Sequence, residues 1–290
     1  MLAVVQIERV GVVGCGLMGS GIAEVSARAG LNVVVVDAND VAVKAGRERI
    51  ESSLANAVRR GKLETEAKEQ TLEALTFSTD MSVLADRQLV VEAVTEAEDI
   101  KVAIFRLLDG IVEDPMAILA SNTSSIPIMK LGMSTRRPEH VIGLHFFNPV
   151  PILPLVELVS SLVTSPETTQ RAADFATDIL GKHVIHSKYR AGFIVNALLI
   201  PYLLASIRML ESGFATAEDI DTGMVQGCAH PMGPLALADL IGLDTTMAVA
   251  ESLYKEFKEP LYAAPPLLSR MVEAGLLGRK SGRGFHTYDR

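Results

Sequence analysis

Along the first two thirds of the chain, short apolar runs alternate with longer stretches of mixed polarity. The runs fall at residues 10–13, 33–36, 89–94, 118–120, 141–144 and 156–159, and they are rich in β-branched side chains. Near-continuous apolar runs predict strands covered on both faces. Their alternation with helical patterns predicts βαβ units and a mostly parallel sheet. Residues 41–73 break the rhythm. They are polar, carry no strand signal and predict one or two amphipathic helices broken at Gly61, an insertion in a Rossmann-type sheet. Beyond residue 188 the pattern turns helical. Residues 193–211 read as one long, mostly apolar helix, and 234–240, 245–257 and 265–274 as further helices opened by Pro or a capping residue. Thr216-Ala-Glu-Asp219 has the form of a capping box with Asp in its fourth place. The expected architecture is an α/β Rossmann-type N-terminal domain, residues 1–188, followed by an all-α C-terminal domain, residues 189–290.

Composition narrows the function classes. A length of 290 residues leaves room for two domains, and 49% hydrophobic with 21% charged residues excludes a disordered chain. Thirty-five acidic against 27 basic residues give a net charge of −8. Such a chain has no basic footprint for nucleic acid or an anionic membrane, so any anionic ligand must be held by local groups. Residues 191–207 are uncharged but contain Asn196 and Pro201, which predicts a buried helix rather than a membrane span. Two cysteines, Cys15 and Cys228, cannot build a disulfide framework. With no signal-peptide pattern at the N-terminus, a cytoplasmic protein is expected.

The first apolar run leads into Gly14-Cys-Gly16-Leu17-Met18-Gly19, which opens a helical pattern ending at Gly30. A second run then ends in Asp37, 18 residues past Gly19. A strand, a GxGxxG turn, a helix and an acid about 20 residues on make the dinucleotide-binding fingerprint. Gly14 permits the tight turn, Gly16 clears the approach of a pyrophosphate, and Gly19 lets the helix pack on the strand. Asp37 accepts hydrogen bonds from a ribose diol and repels a 2′-phosphate. With no basic residue between Asp37 and Lys44, NAD is favoured over NADP.

The string from 143 to 159 carries the second candidate chemistry. His145 follows one apolar run and Glu157 sits inside the next. A carboxylate bonded to one ring nitrogen would fix the tautomer and leave the other nitrogen as a base. The residues alone allow equally a satisfied core histidine and a solvated edge acid. Arg59, Arg60 and Lys62 form a local basic cluster that could hold an anionic nucleotide or simply end a solvated helix. His183 and His186 would point to opposite faces of one strand, and Cys228 and His230 lack further ligands, so no metal is expected.

Taken together, GVVGCGLMGSGIA, SNTSS at 121–125, HFFNPVP at 145–151, GFIVNALLIPYL at 192–203, HPMGPLALADLIGLDT at 230–245 and GRKSGRGF at 278–285 resemble the 3-hydroxyacyl-CoA dehydrogenase family. The likeness covers essentially the whole chain and is nearest the bacterial 3-hydroxybutyryl-CoA form. It implies a catalytic base at His145, an orienting acid at Glu157, and two groups on the substrate oxygen, Ser124 and Asn196. It implies cofactor contacts at Glu96, Lys101, Asn122, Asn148 and Lys280, beside Gly14, Gly16, Leu17, Met18, Gly19 and Asp37. Coenzyme A contacts are implied at Ser53 and Arg60, and substrate contact also at Asn148. The implied partners are an acyl-CoA substrate and a second copy of the chain, joined through the helical domain. Relatives acting on carrier-protein-bound or sugar-acid substrates, or a non-catalytic nucleotide-binding protein, are the competing readings.

Overall fold

The computed structural model describes residues 6–188 and 190–288. The expected junction at residue 189 lies outside the described residues. The chain divides into two compact units, Met1–Arg190 and Ala191–Arg290.

The first unit is built on an eight-stranded sheet in the order β3-β2-β1-β4-β5-β6-β7-β8. Its strands are β1 (Arg9–Val13), β2 (Asn32–Val36), β3 (Leu75–Ser78), β4 (Leu89–Glu92), β5 (Ile118–Ser121), β6 (Val141–Phe146), β7 (Leu155–Ser160) and β8 (His183–Lys188). The first six lie parallel. β7 returns antiparallel to β6, and β8 pairs parallel with β7. The apolar runs behave as predicted: in β4, β5 and β6 every residue is buried, because helices cover both faces. Each fully buried Val or Leu in such a strand contributes about 1.5–3 kcal/mol.

The helices follow from local signals. α1 (Leu17–Arg28) starts at the glycine turn. The polar insertion forms α2 (Asp40–Arg59), capped by the Asn39 side chain on Ala42 N, and α3 (Thr65–Glu73), with Gly61 in the turn between them. α4 (Glu98–Ile111) turns Phe105 and Leu108 inward. α5 (Ile128–Gly132) is a short helix before β6. α6 (Pro166–Asp174) opens with Ser165 accepting from Thr168 N and Pro at its first position. Sequence reading did not anticipate β3 or α6. β3 reads only LTFS and lies half-exposed at the sheet edge, so little apolar pattern marks it.

The second unit packs α7 (Val195–Glu211), α8 (Ala217–Cys228), α9 (Pro234–Ile241), α10 (Leu243–Phe257) and α11 (Pro266–Glu273) around a separate core including Leu203, Leu204, Leu243 and Leu253. Thr216 caps α8 on Asp219 N, and its hydroxyl bonds the Asp219 carboxylate rather than closing a reciprocal box. Buried Asp239 accepts from Phe285 N, His286 N and the Tyr288 hydroxyl, which ties down the C-terminal segment. Burial and this carboxylate push the Tyr288 phenol up to about 12. Among the described residues no helix is long and apolar enough to cross a membrane.

Candidate active site

Apart from Lys101 on α4 and Glu157 on β7, the candidates of the first unit lie on α1 or α2, at the C-cap of α2, or at or just past the ends of β1, β2, β4, β5 and β6. In a parallel sheet these strand ends share one edge, where open α/β sheets bind ligands. β1 ends at Val13, and Gly14 turns the chain at φ 97°. A side chain there would be strained and would meet the Ala93 carbonyl. Gly16 caps α1, and a Cβ at Gly16 would meet nothing within 4 Å. The protein's own packing therefore does not demand this glycine; it leaves clear space beside helical N–H groups suited to an anion. A Cβ at Gly19 would overlap the Gly14 carbonyl. Gly14, Gly16 and Asp37 share a cavity of about 510 Å³ whose far wall is apolar, with Ile100, Ile104 and Leu107. Turn, acid and apolar wall fit a dinucleotide. Asp37 already accepts from Cys15 N and Ala38 N, both at 2.6 Å, so it pins the glycine loop. Each carboxylate oxygen retains a second lone pair for a ribose hydroxyl.

His145 and Glu157 are directly opposed in the antiparallel β6–β7 ladder. Opposed residues share a face, and His145 Nδ1 lies 2.8 Å from Glu157 Oε2. Glu157 is fully buried, and the His145 side chain is 7% exposed. The imidazole meets Phe147 edge-on at 4.6 Å between centroids. The solvated-edge alternative for Glu157 does not apply.

Ser124 sits in the loop after β5. Glu96 Oε1 takes Ser124 N at 2.9 Å and Ser124 Oγ at 3.2 Å, together with the Thr123 and Ser125 hydroxyls and Ser125 N. Lys101 Nζ lies 3.3 Å from Glu96 Oε2. Burial favours the neutral Glu96 carboxyl, but Lys101 and these donors outweigh it and hold the group below its ordinary range. Asn122 reaches across to β6, accepting from Phe146 N at 2.9 Å.

Leu17, Ser53, Arg60 and Asn148 line a second, larger cavity of about 920 Å³ between α1, α2 and the loop after β6. Asn148 precedes a cis Pro149. Met18, next to Leu17, packs instead against the core. Asn196 and Lys280 belong to the second unit. Asn196 lies in the first turn of α7, and Lys280 Nζ bonds both Asp244 oxygens at 2.6 Å. Among the described residues no group of three or more His, Cys, Asp or Glu side chains could hold a metal.

Two family models match the chain. The 3-hydroxyacyl-CoA dehydrogenase NAD binding domain covers residues 9–190 and the 3-hydroxyacyl-CoA dehydrogenase C-terminal domain covers 192–288. The chain belongs to the 3-hydroxyacyl-CoA dehydrogenase family. It is 59% identical over 282 residues to a 3-hydroxybutyryl-CoA dehydrogenase of Mycobacterium tuberculosis, covering 97% of this chain and 99% of that protein. A crystallised M. tuberculosis protein superposes at TM-score 0.97 with 58% identity, over 98% of this chain and 100% of that one. The (S)-3-hydroxybutyryl-CoA dehydrogenase of Ralstonia eutropha follows at TM-score 0.90 and 47% identity, over 98% and 100%.

Within this family member the structure adds groups that sequence reading passed over. Glu92, fully buried at the end of β4, bonds Lys101 Nζ and Ser121 Oγ, both at 2.6 Å. Lys182 donates to the Val150 and Leu153 carbonyls at 2.6 and 2.8 Å and so clamps the loop that carries Asn148. Glu92 was hidden inside a run read as continuous strand. Lys182 gave no signal, because its partners are main-chain atoms distant in sequence.

Proposed function

We propose that this protein interconverts an (S)-3-hydroxyacyl-CoA, preferably the four-carbon one, and its 3-oxoacyl-CoA, with NAD as the hydride carrier. The observation that carries this reading is the buried His145–Glu157 pair at 2.8 Å, in the same sheet as the glycine turn and Asp37. The names of the similar dehydrogenases support the substrate class. Bound nicotinamide supplies the site that takes hydride from the substrate's C3 or returns it. The rest is the work of the chain. In the oxidising direction His145 Nε2 takes the hydroxyl proton, while Glu157 at Nδ1 stabilises the imidazolium that results. In reduction the imidazolium returns that proton. Ser124 Oγ and the Asn196 amide donate to the substrate oxygen as its charge grows.

Gly14, Gly16, Leu17, Met18, Gly19, Asp37, Glu96, Lys101, Asn122, Asn148 and Lys280 form the cofactor side in this reading. Ser53 and Arg60 take the coenzyme A end, and Asn148 serves the substrate as well. The working form is a homodimer through the helical unit, and exposed Leu198 and Phe214 are apolar surface available for that contact. The test is to mix the protein with acetoacetyl-CoA and either NADH or NADPH and to follow reduced-nicotinamide absorbance. Faster loss of NADH is expected. Preference for NADPH would overturn the role of Asp37, and silence with both would overturn the substrate.

A further inference from the structure

The 920 Å³ cavity contains a cation that the mechanism does not use. Arg49, Ser53 and Asn56 stand at i, i+4 and i+7 on α2, its C-cap Arg60 follows at i+11, and all four line the cavity. At 1.5 Å per residue this polar stripe runs about 16 Å, long enough to follow an extended phosphate-bearing arm. Lys62 adds positive charge, and the carboxylates on the wall are Glu24 and Glu48. Each of these acids has a cation of its own: Glu24 lies 3.7 Å from Arg28 and Glu48 3.9 Å from Lys44. Among the described residues no carboxylate lies within ion-pair distance of Arg49, although its helix neighbour Arg47 is paired with Glu51 at 2.9 Å. In a chain of net charge −8, Arg49 is thus an uncompensated cation in a cavity wall.

Its placement is built rather than incidental. Arg49 Nη1 donates to the Cys15 carbonyl at 3.0 Å, and Ser20 Oγ donates to the same oxygen at 2.9 Å. α2 comes this close because residue 46 is glycine; a Cβ there would overlap Cys15 Sγ. One hydrogen bond fixes the guanidinium while its other N–H groups remain for a ligand. Arg49 lines this larger cavity and not the smaller one that holds Asp37.

We propose that Arg49 is a phosphate ligand for the nucleotide end of coenzyme A, and that its charge makes the enzyme prefer nucleotide-bearing thioesters over nucleotide-free ones. This rests on the acyl-CoA reading above. The test compares wild type, Arg49→Gln and Arg49→Lys with acetoacetyl-CoA and acetoacetyl-pantetheine, and measures CoA binding by calorimetry. Loss of a charge-assisted contact should lower the ratio of kcat/KM for the two thioesters about tenfold in Arg49→Gln and weaken CoA binding by a similar factor. Arg49→Lys should fall between, since it keeps charge but loses the fork. A ratio within twofold of wild type, or equal slowing of both thioesters, would overturn the proposal, the latter outcome showing that Arg49 only supports the glycine loop. Should wild type fail on acetoacetyl-CoA, the substrate reading falls instead, and the CoA titrations still decide the role of Arg49.

Discussion

His145 and Ser124 sit at the ends of neighbouring strands, yet they are held in different ways. His145 gets its place from the β6–β7 ladder: backbone pairing sets it opposite Glu157, and the 2.8 Å contact follows from register. The loop at 122–126 has no such ladder. Its shape comes from side chains, with Glu96 Oε1 collecting hydroxyls and amides from Thr123, Ser124 and Ser125. Behind Glu96 stands Lys101, 1% exposed, shared with fully buried Glu92. His145 thus rests on backbone hydrogen bonds that any sequence in that sheet would make. Ser124 rests on three charges, those of Glu96, Lys101 and Glu92. The first should tolerate loss of a charge structurally but not chemically, and the second should show the reverse.

Removing the imidazole gives the largest expected effect. His145→Gln should lower kcat about 10²–10⁴-fold, the range for a positioned acid–base group, while NADH binding by fluorescence titration persists. Turnover like wild type would remove His145 from the mechanism. On the loop side, Lys101→Met strands Glu92 as a buried charge, and loss of one partner of such a pair costs about 3–5 kcal/mol. Chemical denaturation should show that loss, and the double variant with Glu92→Gln should recover part of it. A single-variant cost under about 0.5 kcal/mol, as for an ordinary surface change, would break the electrostatic account of the loop. Glu157→Gln should come next, with kcat down roughly 10²-fold because the imidazolium loses its counter-charge. Its stability should stay well above that of Lys101→Met, since the strand register remains. If Glu157→Gln instead destabilised as much as Lys101→Met, the contrast between sheet-held and charge-held groups would collapse.

What the sequence made legible follows the same division. The glycine turn and Asp37 could be read because their chemistry depends on spacing within one βαβ unit, and the strand-to-helix rhythm named the fold. His145 and Glu157 could be named from the likeness of HFFNPVP to a family, but the residues alone left a core histidine open. Their pairing depends on which strand returns antiparallel, and only the sheet shows that. The Glu92–Lys101–Glu96 cluster was half legible. Its members join a strand end, a loop and α4, and no single periodicity links the three. β3 escaped because a four-residue edge strand buries too little to leave a pattern. The helices of the second unit were placed within a few residues, since caps and prolines mark their ends directly.

The smallest expected effect concerns Glu96 itself. Its carboxyl is desolvated, which favours the neutral form, but Lys101 and the loop donors prevail and depress its ionisation below the ordinary carboxylate range. A group with a depressed folded value contributes stability above its unfolded value, near 4.3 for glutamate, and loses it as pH falls through the folded value. Part of this group faces solvent, with 38% of its side chain exposed, so screening limits the contribution. Glu96→Gln keeps an oxygen that can accept from the serine loop but loses the charge. We expect kcat/KM for acetoacetyl-CoA to fall roughly threefold to tenfold, since neutral acceptors hold about half as strongly as ionised ones. Thermal melts should show the wild type ahead of the variant at neutral pH, with the gap closing below about pH 4 as wild-type Glu96 takes up its proton. A gap that stayed constant down to pH 3 would mean that shape, not charge, fixes the loop, and Ser124 would then be held by the same kind of geometry as His145.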